Sequence, residues 1–148
     1  LTLIGAQMKK EAIAVDVHIA EHLPPVFCVP QGIRQVFLNI ISNARDALER
    51  RWPDNNGNKR LEIFADLERS NGNRWVRVAF RDNGTGIPEG IRDKIMRPFF
   101  STKPAGKGTG LGLSISHDIV KANGGELTVE SEFGRSTTVT VRLPEVMA

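Results

Sequence analysis

The chain has 148 residues, the size of one ordinary domain, and a chain of this length can bury ~70% of its unfolded surface without a disulfide staple. Apolar residues make up 40% and charged residues 25%, and 20 basic residues are scattered among 17 acidic ones with no Tyr, which excludes the basic, aromatic-studded stripe of a nucleic-acid binder. The single Cys28 excludes an internal disulfide and a cysteine-based zinc site and fits a reducing compartment, while no apolar run approaches the ~20 residues of a membrane span, so a soluble piece is expected.

The chain begins at Leu1 and shows no signal-peptide pattern, so it reads as a fragment of something longer. The first dozen residues, with Leu3, Ile4, Met8 and Ile13 apolar, predict a short helix. Residues 13–19 alternate with period two and predict a strand. Pro24, Pro25 and Pro30 punctuate the next stretch before a helical pattern over 31–51, which Pro53 and Asn55-Asn56-Gly57 end. Residues 60–68 and 74–81 predict two strands joined as a hairpin at Ser70-Asn71-Gly72-Asn73. A glycine-rich region over 82–110 follows, interrupted by a short helix near 88–95. Residues 111–122 predict a helix stopped by Gly124-Gly125, and two last strands, 126–132 and 136–143, turn at Phe133-Gly134-Arg135. With no repeat and no linker, the pattern predicts one α/β domain over 1–148 with a mixed or antiparallel sheet.

On a helix of about 100° per residue, Ile33, Val36, Phe37, Ile40, Ile41, Ala44, Ala47 and Leu48 share one broad core face. Gln35, Asn39, Asn43, Asp46 and Arg50 form a narrow polar stripe beside it, with Arg34, Ser42, Arg45 and Glu49 on the far, solvated side. A plain amphipathic boundary explains a polar stripe, but asparagine is a mediocre helix former and two in mid-helix on one face require another reason. Amide oxygens are hard, neutral ligands suited to a Mg²⁺ that keeps phosphate oxygens and waters.

Asp82 closes an alternating strand at the mouth of the turn Asp-Asn-Gly-Thr-Gly-Ile, 82–87. Such a carboxylate can accept a hydrogen bond from an exocyclic amine, and Gly84 and Gly86 allow close approach of backbone to a flat ring, although an Asp-Asn-Gly turn by itself is common. Residues 106–112 place four glycines before and into the start of a helix, where backbone amides bind phosphate. A Walker loop does not fit, because Ser101 occupies the first glycine position and Gly108 follows Lys107. A dinucleotide fingerprint does not fit either, because 99–105 precede the glycines instead of a strand end. A flap bearing Lys103 and Lys107, or a plain surface loop, remains.

These segments, in this order, resemble the catalytic, ATP-binding domain of bacterial two-component sensor histidine kinases, within the wider group that includes gyrase, heat-shock protein ninety and mismatch-repair ATPases. The resemblance covers about 13–144: an asparagine box over 39–47, a first glycine box over 82–87, a phenylalanine box over 98–103, a second glycine box over 108–113 and the ending Gly134-Arg135-Ser136-Thr137-Thr138-Val139. It implies a two-layer α/β sandwich, the Bergerat fold, in which a mixed, mostly antiparallel sheet packs against about three helices with a lid over the nucleotide. It implies that Asp82 receives the adenine amino group, that Gly84, Gly86 and Ile87 shape the adenine pocket, and that Thr137 supports it. Asn43, helped by Asn39 and beside Asp46, would hold Mg²⁺. Thr102, Lys103 and the segment Gly108, Thr109, Gly110, Leu111, Gly112 and Leu113 would cradle the phosphates of ATP, with a lid over about 101–109. Asn39, Asn43 and Lys103 are the residues expected to carry catalysis.

The related ATPases place a water-activating glutamate where this chain has Asn39, and an amide cannot act as a general base. Asp46 stands where many sensor kinases have a phosphate-touching lysine, which shifts neutralisation toward Lys103, Lys107 and the cation; Arg97 stands where an acid is common. His18, His22 and His117 fall in a strand, a loop and the last helix, so none reads as the phosphoacceptor. The resemblance therefore implies a donor domain acting on a histidine of a separate helical dimerisation domain, ahead of a response regulator. The fragment is expected to be monomeric and cytoplasmic, within a homodimeric full-length protein. An anti-sigma-type serine kinase or a regulatory nucleotide-binding module is the alternative, and an ATPase a more distant one.

Overall fold

The computed structural model describes residues 2–26, 28–54, 57–95, 97 and 112–145. Its elements follow the predicted order: α1 (Thr2–Lys10), β1 (Ala14–Ile19), α2 (Pro30–Arg51), β2 (Arg60–Ser70), β3 (Asn73–Asp82), α3 (Glu89–Arg92), α4 (Gly112–Ala122), β4 (Glu126–Glu132) and β5 (Ser136–Pro144). The five strands form one sheet in the order β1-β2-β3-β5-β4, with β1 parallel to β2 and every other pairing antiparallel. The parallel pair makes α2 the crossover between β1 and β2. This is the expected two-layer sandwich with a mixed, mostly antiparallel sheet.

The core lies between the inner sheet face and the helices. From α2 it takes Ile33, Val36, Ile40, Ile41, Ala44 and Leu48; opposite stand Leu61, Phe80, Val139, Val141 and Leu143. Phe37 adds a tilted ring contact to Phe80, with centroids 5.3 Å apart. Pro30 starts α2 without needing the amide it lacks, and the Val29 amide donates to Asn123 Oδ1 at 2.7 Å, tying that start to the end of α4. The β2–β3 hairpin is the predicted one: Asn71 and Gly72 both take left-handed φ values of 52° and 79°, the conformation a two-residue hairpin turn requires.

One expectation needs correction. Ser42 lines the cleft described below, and Arg45 is bonded through two nitrogens to the Glu11 carboxylate at 2.6 and 3.0 Å, so this flank of α2 is not simply solvated. The α1 end supplies the partner, a pairing without a short-range sequence signal. Further along the same flank, Glu49 reaches the fully buried Lys59 at 2.5 Å. β1 forms as predicted, with Val17 and Ile19 55% and 66% exposed on it.

Candidate functional site

One cavity of about 580 Å³ opens between α2, the loop after β3, the start of α4 and the inner ends of β4 and β5. Asn39, Asn43, Asp46, Asp82, Gly86, Ile87, Gly112, Leu113 and Thr137 all line it, so the asparagine helix, the first glycine turn and the start of α4 meet at one cleft, while Gly84, expected to shape the pocket, does not line it. Thr102, Lys103, Gly108, Thr109, Gly110 and Leu111, with the lid over 101–109, lie outside the described residues.

Asp82 ends β3 with only 5% of its surface exposed. Among the described residues its side chain has one hydrogen bond, from the Gly84 amide to Oδ1 at 2.9 Å. Burial pushes its carboxyl up to about 6, a rise that the Gly84 bond only partly offsets. Thr137 is its register partner on β5. The Ser131 hydroxyl donates to the Ser136 carbonyl at 2.9 Å and accepts from the Ile87 amide at 2.7 Å. The Ser131 and Thr137 hydroxyls stand 3.0 Å apart, and Thr137 lines the cleft. Ile87, Ile91, Ile95 and Phe133 provide apolar walls. A flat heterocycle with an exocyclic donor has the size and polarity such a slot accepts.

The two glycines of this turn approach the chain itself. A Cβ on Gly84 would lie 2.6 Å from the Ala47 carbonyl carbon, and one on Gly86, at φ +70°, would lie 2.3 Å from the Glu132 oxygen. The turn is thus wedged between α2 and the β4–β5 turn.

Toward the start of α4 the lining becomes amide-rich. The Asn39 amide nitrogen donates to Ser116 Oγ at 3.2 Å, and its oxygen accepts from Gln35 Nε2 at 2.8 Å, so this residue ties α2 to α4. Asn43 faces Gly112, where a Cβ would stand 3.9 Å from its Nδ2. Asp46 and Arg50 continue the lining toward the turn, completing the α2 stripe. Among the described residues no three His, Cys, Asp or Glu side chains are placed together to hold a metal ion, so a cation here would depend on amide oxygens, Asp46 and oxygens brought by a ligand. That donor set fits Mg²⁺, which characteristically keeps waters and phosphate oxygens.

The sequence reading missed Ser131, Ser116, Arg51, Trp52 and Phe133. Ser131 was within reach, because it shares the inward face of β4 with Leu127 and Val129, where a hydroxyl is out of place. Arg51 and Trp52 bind backbone carbonyls, which leave no signature in residue type.

The sheet with its helices on one face, and a cleft joining a buried acceptor to an amide stripe, define a nucleotide-site type of α/β sandwich. Residues 28–147 match the histidine kinase-, DNA gyrase B-, and HSP90-like ATPase family, and the chain belongs to it. The chain is 39% identical over 144 residues to the two-component sensor PprA of Pseudomonas aeruginosa, covering 97% of this chain and 15% of that protein. It is 33% identical over 144 residues to sporulation kinase E of Bacillus subtilis, covering 97% and 18%. The chain thus spans less than a fifth of these relatives. The nucleotide-free catalytic domain of histidine kinase ThkA is similar in structure, with a TM-score of 0.78 at 28% identity over 97% of this chain and 86% of that one.

Proposed function

We propose that this chain binds Mg²⁺-ATP in the cleft and donates the γ-phosphate to a histidine carried by a separate helical dimerisation domain, the first step of a two-component relay to a response regulator. The observation that carries the reading is the buried Asp82 carboxylate opposite Thr137, sharing one cleft with Asn39 and Asn43. Asp82 would accept the adenine amino group, Gly86 and Ile87 would bound the ring, and Gly84 would hold the turn against α2. Thr137 would support the base. Asn43 and Asp46 would hold the cation, with Asn39 positioning α4 and lending its oxygen. Bound there, Mg²⁺ would supply neutralisation of phosphate charge. Thr102, Lys103 and 108–113, from Gly108 through Leu113, would cradle the phosphates.

Phosphoryl transfer requires mainly positioning and charge stabilisation, and an amide-lined cleft supplies both without a nucleophile. Asn39 offers no carboxylate to activate water, which favours delivery to an external acceptor over hydrolysis. The three histidines support the same division. His18 stacks on Phe64 at 5.2 Å on the sheet, His22 sits in the loop after β1, and His117 lies beside Asp118 on α4; none lines the cleft. No described helix is long and apolar enough to cross a membrane; we place this domain in the cytoplasm on the strength of its proposed ATP chemistry. The chain incubated alone with γ-labelled ATP should give no phosphohistidine, and adding a dimeric helical domain with an acceptor histidine should give it. Labelling of His18, His22 or His117 in the isolated chain would overturn the division of donor and acceptor.

A further inference from the structure

Arg51, the last residue of α2, does not line the cleft, yet it meets both segments that form the base end of it. Its Nη1 donates to the carbonyl oxygens of Asn83 at 3.1 Å, Gly84 at 3.3 Å and Arg135 at 2.9 Å. Its guanidinium lies 4.5 Å from the centroid of the Trp52 ring, and Trp52 Nε1 donates to the same Asn83 oxygen at 3.0 Å. The Asn83 carbonyl and the Gly84 amide belong to a single planar peptide unit. At one edge of that plane Arg51 and Trp52 grip the oxygen; at the opposite edge the N–H donates to Asp82 Oδ1 at 2.9 Å. The Arg135 contact adds the opposite wall, where the Gly134 amide donates to the Thr85 oxygen at 2.7 Å and Phe133 lines the cleft.

We propose that Arg51 is a positioning residue for base selectivity: by fixing the Asn83–Gly84 peptide plane it aims the Asp82 carboxylate, so discrimination of a 6-amino purine from a 6-oxo purine runs through a side chain that never touches the base. The inference rests on the adenine reading of the cleft. A carboxylate held rigidly meets a 6-amino donor well and repels a 6-oxo acceptor; one free to swing does neither as strongly. The cation is suited to this because a planar guanidinium can stack and donate at once. The phosphate end of the cleft, on Asn43 and Gly112, makes none of these contacts.

The test is calorimetric titration of the chain and its Arg51→Ala, Arg51→Lys and Trp52→Phe variants with ATP, GTP and inorganic tripolyphosphate. Trp52→Phe keeps a ring beneath the guanidinium and removes only the second donor to Asn83, so it carries the test should Arg51→Ala lose its thermal transition. We expect the wild-type preference for ATP over GTP to fall by about fivefold or more in Arg51→Ala, through weaker ATP binding, with tripolyphosphate unchanged. Trp52→Phe and Arg51→Lys should show a smaller fall of the same kind. A purely structural role would weaken all three ligands together, and that result, or an unchanged ATP-to-GTP ratio in both Arg51→Ala and Trp52→Phe, overturns the proposal. A wild-type chain with no preference for ATP over GTP would instead remove the adenine reading on which it rests.

Discussion

Asp82 and Thr137 stand directly opposite one another as register partners in β3 and β5, one a buried carboxylate and the other a buried hydroxyl. Inner-face pairs at neighbouring positions of this ladder are apolar, such as Phe80 with Val139 and Val78 with Val141. A polar pair at the end of an apolar ladder disfavours folding unless it is used, because burial raises the charged form in energy.

That cost gives the first prediction. Burial raises the Asp82 carboxyl from 3.8 to about 6, so the folded chain binds this proton more tightly than the unfolded one. The associated stability is fully present below about pH 4 and is lost as pH rises through 6. At neutral pH the ionised Asp82 therefore costs the fold up to about 3 kcal/mol. Asp82→Asn should melt higher than wild type at pH 7, with the gap closing toward pH 4, while losing ATP affinity by roughly thirtyfold. Thermal melts across pH and one ATP titration check both halves; a variant that is stabilised yet binds ATP normally would exclude the adenine role.

Nucleotide affinity should itself depend on pH. An adenine amino group needs an acceptor, and below about pH 6 the Asp82 carboxyl is neutral. ATP binding is expected to strengthen between pH 5 and 7 more steeply than binding of tripolyphosphate, whose phosphates ionise in the same range but which has no base to meet Asp82. Matching profiles for the two ligands would count against Asp82.

Asn43→Ala should weaken ATP binding by roughly tenfold in the presence of Mg²⁺ and by much less in its absence. A magnesium titration at fixed nucleotide separates the two contributions. An unchanged magnesium dependence would move the cation to other ligands.

At Gly84 the expected effect is on stability. A methyl group would press into the Ala47 backbone, at 2.6 to 2.8 Å from its atoms, and backbone cannot rotate away. Gly84→Ala should lose about 2 kcal/mol in urea unfolding with little change in slope. A loss under half of that would mean the turn can slide off α2.

Much of the site could be read from residue order because its parts repeat with the period of their elements. The helical spacing of α2 placed Asn39, Asn43 and Asp46 beside the core face, and all three line the cleft. Asn71-Gly72 marked the hairpin that sets Asp82 at the end of β3. What stayed hidden was long-range and indifferent to residue type: the grip of Arg51 and Trp52 on carbonyls and the pairing of Arg45 with Glu11 across 34 positions. The period of two in β1 carries no mark of whether a helix covers that strand, and the exposure of Val17 and Ile19 came only with the fold.

Because α2 is the crossover between the parallel strands β1 and β2, it cannot peel away without pulling on both its sheet anchors and its apolar face. Amides in the middle of this helix should exchange with deuterium only through near-global opening, whereas those of the short α3 should exchange by local fraying. The domain would then hold the Asn39 and Asn43 side of the cleft on its slowest-opening element and leave the wall at Ile91 to open on its own.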